Sequence, residues 1–157
     1  EVTTGTIATL RVNADAMRAA AEGTIYSVKM VTRKPPKSLK TARYIIDHKI
    51  PVMELQEPLK VFEGSAREGA RQFPANVNVA ASLGLAGVGP EKTELEIWAD
   101  PTKTLNTHTI SVVADSARFQ MTIENVPSEE NPGTGKITAL SVIATLRGMV
   151  ATLRTGT

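Results

Sequence analysis

Apolar positions recur at three- and four-residue steps at both ends of the chain and at two-residue steps through its middle. Ile7, Leu10, Ala14, Met17 and Ala21 share one face of a helix predicted over 6–22, with Gly23 as its stop. Tyr26, Val28 and Met30 alternate with Ser27 and Lys29, which predicts a strand over 24–32. Arg33-Lys34-Pro35-Pro36-Lys37 follows; its prolines deny it a helix, so it reads as a loop or an extended segment. No element is predicted over 38–60, where Pro51 and Pro58 interrupt any long one. Ser65-Ala66-Arg67-Glu68 has the form of a capping box and starts a short helix that ends at Phe73, before Pro74. A second helix is expected over 76–86, closed by Gly87.

Three alternating segments come next. Leu95, Ile97 and Ala99 alternate with Glu94, Glu96 and Trp98; Ile110 and Val112 with Thr109 and Ser111; and Phe119, Met121 and Ile123 with Arg118, Gln120 and Thr122. Clean alternation suits antiparallel strands with one covered face, and the short link at 114–117 suits a hairpin. After a loop over 126–135, a last helix is predicted over 136–153. Its apolar stripe is Ala139, Val142, Ile143, Leu146, Met149, Val150 and Leu153. The expected fold is α+β, a mostly antiparallel sheet backed by helices, with 1–157 as a single domain and no internal repeat.

Composition narrows the chemistry. Aromatic residues make up 4% of the chain, so Val, Ile, Leu and Ala must fill most of the core. There is no cysteine, which removes disulfides, a thiolate nucleophile and Cys-based zinc sites, and fits an expected cytoplasmic location. A net charge of +2 gives no case for nucleic acid, and no apolar run reaches the length of a membrane helix. Gly87-Val88-Gly89 lacks the third glycine of a dinucleotide fingerprint and follows a helix rather than a strand. Gly133-Thr134-Gly135-Lys136 has Ile137 where a phosphate loop needs Ser or Thr. Both read as turns, so the chain shows no nucleotide-binding unit of its own.

The two histidines differ in setting. His48 sits in a polar interval, Ile46-Asp47-His48-Lys49-Ile50, and reads as a solvated loop residue. His108 opens a strand on the side of Ile110 and Val112, at the rim of the buried face. That position suits either a hydrogen-bonded core-edge residue or a group that changes protonation near neutral pH. The two offer no metal-ligand spacing, so no metal is expected. Asn76 has the role of a helix cap open to it, whereas Asn78 lies inside the first turn of a helix of Val and Ala. With the small Ala80, Ala81, Ser82 and Gly84, Asn78 marks a packing or cofactor face. Arg33, Lys34, Lys37, Lys40, Arg43 and Lys49 form a basic run with Asp47 as its one acid. The run reads as a solvated loop or as an anchor for an anionic substrate.

Several segments together resemble the aspartate dehydrogenase family: Thr32-Arg33-Lys34-Pro35-Pro36, Phe62-Glu63-Gly64-Ser65-Ala66-Arg67-Glu68, Phe73-Pro74-Ala75-Asn76-Val77-Asn78-Val79-Ala80-Ala81, Ala99-Asp100-Pro101 with Asn106-Thr107-His108, and Ile123-Glu124-Asn125-Val126-Pro127-Ser128 with Glu130-Asn131-Pro132. The resemblance implies a two-domain dehydrogenase in which an N-terminal Rossmann domain binds NAD or NADP. The C-terminal α+β domain then carries the substrate site and the dimer interface. This chain corresponds to that second domain, with the first expected to be missing. The resemblance makes His108 the catalytic histidine and Asn78 a cofactor-contacting residue. It gives Thr6 the place of a cofactor-touching alanine, and the exchange for Thr is a departure from the family pattern. The implied partners are a small dicarboxylate substrate and a second copy of the chain, the latter through the exposed side of the sheet or the helix over 78–86. The alternative is a non-catalytic dimerisation module derived from the same family.

Overall fold

The computed structural model describes Met17 and residues 20–74, 77–129 and 135–152. Thr6, Asn76 and most of the helix expected over 6–22 lie outside the described residues, although Met17, Ala20 and Ala21 are helical. Met17 is fully buried and lies against Gly87, where an added Cβ would come within 3.0 Å of its sulfur.

Five strands form one mixed sheet: β1 (Ile25–Lys34), β2 (Leu59–Ser65), β3 (Thr93–Ala99), β4 (Asn106–Ala114) and β5 (Arg118–Asn125), in the order β2-β3-β1-β4-β5. Only β1 and β3 run parallel; the other pairs are antiparallel. The helices are α1 (Arg43–Asp47), α2 (Ala66–Gln72), α3 (Asn78–Ala86) and α4 (Lys136–Val150), with 3-10 turns at Pro36–Ser38 and Val52–Glu54.

Alternation decides which side chains enter the core. Val28, Met30, Leu95, Ile97, Ala99, Ile110 and Val112 are all buried on one face of the sheet. Tyr26, expected to join them, is 67% exposed because the β1–β4 register shifts between Ile25 and Ser27. A second irregularity, between Lys60 and Phe62, lets Val61 and Phe62 both turn inward, and β2 is a strand that the sequence pattern did not predict. The capping box forms as expected. Ser65 Oγ accepts from Glu68 N at 3.1 Å, and Glu68 Oε2 accepts from Ser65 N at 2.8 Å.

Phe73 follows α2 and fills the core beside Phe62 and Tyr44, with ring centroids 5.6 and 4.9 Å away. α3 turns Ala80, Leu83 and Gly84 inward. An added Cβ at Gly84 would meet the Pro90 backbone at 2.8 Å, so this helix's smallness serves a contact within the chain. α4 differs from the others: Leu140, Ile143, Leu146, Met149 and Val150 are exposed along it. Its stripe is apolar as the sequence predicts, but it covers no other part of the described chain to a comparable extent.

Candidate active site

β1 and β4 bring together residues far apart in the sequence. Their register sets Thr32 opposite His108 and Arg33 opposite Thr107. Thr32 and Lys34 continue the inward series begun by Val28 and Met30, and His108 continues that of Val112 and Ile110. One end of the apolar face is therefore polar. Thr32, Lys34 and His108 are all buried there, exposed by only 1%, 6% and 6%.

Thr32 Oγ1 and His108 Nδ1 are 3.1 Å apart. Burial, and then the positive charge of Lys34, push the imidazole from its ordinary value of 6.5 down to about 4. His108 is thus neutral at physiological pH, instead of titrating near neutrality as an unperturbed imidazole would. Burial lowers Lys34 from 10.5 to about 8. Asn106, two residues before His108 on the same side of β4, has an amide oxygen that is buried and without a hydrogen-bond partner among the described residues. Thr107 Oγ1 is in the same condition.

The opposite face is ionic. Arg33 donates to Asp100 Oδ2 at 3.1 Å and lies over the Trp98 ring at 4.6 Å from its centroid. Burial works against the Asp100 charge, but hydrogen bonds from Thr102 and Arg33 hold its carboxyl below the usual range. Asp100 N also donates to Lys34 O at 2.8 Å, which fixes the end of β1 against the turn after β3. The rest of the basic run is exposed: Lys37, Lys40, Lys49 and Arg43, the last paired with Asp47. His48 ends α1, exposed and stacked on Tyr44, as a solvated loop residue should be.

Asn78 is half-buried in the first turn of α3. That helix packs on β3 and α2, and two strand spacings separate β3 from β4. Thr32 and Lys34 were legible as inward-facing through parity with Met30, a signal obscured by the prolines just beyond them. Among the described residues, no group of three His, Asp or Glu side chains is placed to hold a metal.

The buried His108–Thr32 pair opposes acid. The native imidazole titrates at about 4 and the unfolded one at 6.5, so the unfolded chain takes up the proton first. The His108 contribution is complete above about pH 6.5 and declines as pH falls through that window. The loss approaches roughly 3 kcal/mol at 1.36 kcal/mol per pKa unit. Urea titrations at pH 7.5 and 4.5 measure it, and His108→Leu should show a shallower decline than wild type.

A sequence profile described as "Aspartate dehydrogenase, C-terminal" matches residues 15–149. The chain belongs to the aspartate dehydrogenase C-terminal family. An L-aspartate dehydrogenase of Bradyrhizobium diazoefficiens is 64% identical over 143 residues, covering 91% of this chain and 51% of that protein. One of Methanosarcina mazei is 42% identical over 146 residues, covering 93% and 54%. The crystal structure of aspartate dehydrogenase from Thermotoga maritima superposes with a TM-score of 0.72 at 30% identity, covering 90% of this chain and 51% of that one. The chain therefore spans about half the length of the curated relatives it matches.

Proposed function

We propose that the chain is the substrate-binding and catalytic domain of an L-aspartate dehydrogenase, which oxidises L-aspartate to iminoaspartate, or to oxaloacetate and ammonia after hydrolysis. The observation that carries this reading is a neutral, buried His108 at the polar end of the sheet face, in a chain of this family. NAD or NADP, held mainly by a dinucleotide-binding domain, supplies the hydride acceptor. Toward that group this chain offers Asn78 and Thr6, carried over from the resemblance. The unpartnered Asn106 amide oxygen fits an N–H donor, either a carboxamide or a substrate amine.

Amine oxidation removes a hydride from Cα and a proton from nitrogen. When Nδ1–H donates to Thr32 Oγ1, the neutral imidazole of His108 presents Nε2 as the base. It takes the proton from the substrate ammonium; once that proton has been released to solvent and the imidazole is neutral again, it activates the water that adds to the imine carbon. The buried face excludes bulk water, which strengthens each of these contacts. This reading goes with a cytoplasmic enzyme, where the dinucleotides are kept.

The test is L-aspartate-dependent reduction of NAD and NADP, followed at 340 nm, by this chain joined to a dinucleotide-binding domain. No reduction with either cofactor overturns the reading and leaves the non-catalytic module.

A homodimer belongs to the same proposal. The exposed stripe of α4, Leu140, Ile143, Leu146, Met149 and Val150, supplies apolar area that a second copy can cover. Light scattering at micromolar concentration is expected to give twice the chain mass. A monomer throughout the accessible concentration range counts against it.

A further inference from the structure

Place in the sheet decides which nitrogen of His108 the Thr32 hydroxyl can reach. The β1–β4 register sets the two residues directly opposite one another on the covered face. Cross-strand partners so placed have Cβ atoms about 4.5–5.5 Å apart. Thr carries its hydroxyl on Cβ and has few χ1 choices, so the oxygen stays close to the sheet. On the imidazole, the nitrogen bonded to Cγ is Nδ1, and it too stays close to the strand. The contact forms there: Thr32 Oγ1 lies 3.1 Å from His108 Nδ1, between residues exposed by only 1% and 6%. Nε2, on the far side of the ring, is left turned away from Thr32.

We propose that Thr32 is the positioning residue for His108: its hydroxyl accepts from Nδ1–H and holds the neutral ring in the tautomer that presents a bare Nε2. This inference rests on the functional reading above and deepens it. A base needs an unprotonated nitrogen, and a neutral imidazole has only one. In water the neutral side chain favours the opposite form, with its hydrogen on Nε2, which donates and cannot accept. A buried Nδ1–H needs an acceptor, and Thr32 Oγ1 supplies it. A hydroxyl also suits this site better than a carboxylate. A carboxylate at Nδ1 would stabilise the imidazolium and raise its pKa, whereas a hydroxyl orients the ring and adds no charge. His108 is thus held in place while burial and the Lys34 charge keep it neutral. Both side chains stand on paired strands of one continuous ladder, which keeps the pair in register.

Nitrogen–proton correlation spectra of the His108 ring report the tautomer directly and need neither turnover nor a variant. In the wild-type protein at neutral pH, a pyrrole-type shift is expected at Nδ1 and a pyridine-type shift at Nε2. The reverse pattern, which a Thr32 hydroxyl donating to Nδ1 would give, overturns the assignment even if the enzyme oxidises L-aspartate. Thr32→Val keeps the branched shape and removes the oxygen, so its spectrum should move toward the Nε2–H form. Thr32→Ser should keep the wild-type pattern. A Thr32→Val spectrum like that of wild type overturns the assignment. Turnover is then compared in the complete two-domain enzyme. A neutral hydrogen bond is worth about 2–10-fold, so kcat should fall by that factor in Thr32→Val. KM for the dinucleotide should stay within about twofold, and Thr32→Ser should recover most of the loss. An unchanged kcat in Thr32→Val, or a Thr32→Ser enzyme no better than it, overturns the positioning role. Absent L-aspartate oxidation by the wild-type enzyme, with the expected ring shifts intact, overturns the functional reading and leaves Thr32 as the residue that sets the His108 tautomer.

Discussion

His108→Ala, in an enzyme joining this chain to a dinucleotide-binding domain, is expected to lower turnover about 10²–10⁴-fold, the usual contribution of a positioned acid–base group. The size follows from what the imidazole has to do. On the proposed reading its nitrogen accepts a proton on a buried face, and no other histidine lies there, since His48 is exposed at the end of α1. Cofactor KM should barely move, because hydride placement depends on other groups. His48→Ala is the matched control and should retain near wild-type turnover. The pH profile separates a base from a structural residue. kcat/KM reports the free enzyme, so its acid limb should lie toward the lowered value of about 4, well below an ordinary imidazole. If His108→Ala keeps most of the activity, or loses it only by unfolding, the catalytic assignment fails.

Phe73→Ala is expected to cost about 3–5 kcal/mol, the range for a large aromatic removed from a packed core. Phe73 is 1% exposed and is gripped from two directions, by the Tyr44 ring from α1 and by the Phe62 ring from β2. Phe62 is held by the β2–β3 register, so the cavity should stay largely open. Aromatic residues are only 4% of the chain, so this cluster of three holds a large share of its ring contacts. Urea denaturation gives the comparison, with Met53→Ala, at a 62% exposed position, expected within about 0.5 kcal/mol of wild type. A loss below about 1 kcal/mol for Phe73→Ala would mean that the site collapses around the smaller side chain.

Where each strand obeyed a strict period of two, its inward face was legible before any coordinates. Leu95, Ile97, Ala99, Ile110 and Val112 are where the alternation puts them, and Ser65 and Glu68 cap α2 as their spacing requires. β2 was hidden because its irregularity places Val61 and Phe62 inward in succession, which breaks the alternation that reveals a strand. Tyr26 misled for the same reason, at the opposite end of β1 from the site. For the site, His108 stood out as a rare residue type on a strand edge. Lys34 did not, because nothing local distinguishes it from five neighbouring cations; its burial arises only when β4 and β3 close on either side of β1. The α4 stripe was legible as an apolar surface, but its partner is not a property of the chain's local pattern.

The central position of β1 has a kinetic consequence. The strand occurs early in the sequence, yet its neighbours in the sheet are β3 and β4, and the Thr32–His108 contact spans 76 residues. During synthesis β1 must wait, unpaired on both edges, until most of the domain has been made. The β4–β5 hairpin closes over a short loop and can form in microseconds, whereas docking β1 requires closure of a long loop, and that step sets the pace. Thr32, Lys34 and His108 meet only when that strand is inserted. The polar end of the sheet face is therefore completed by the slowest pairing, and partly folded chains carry none of it.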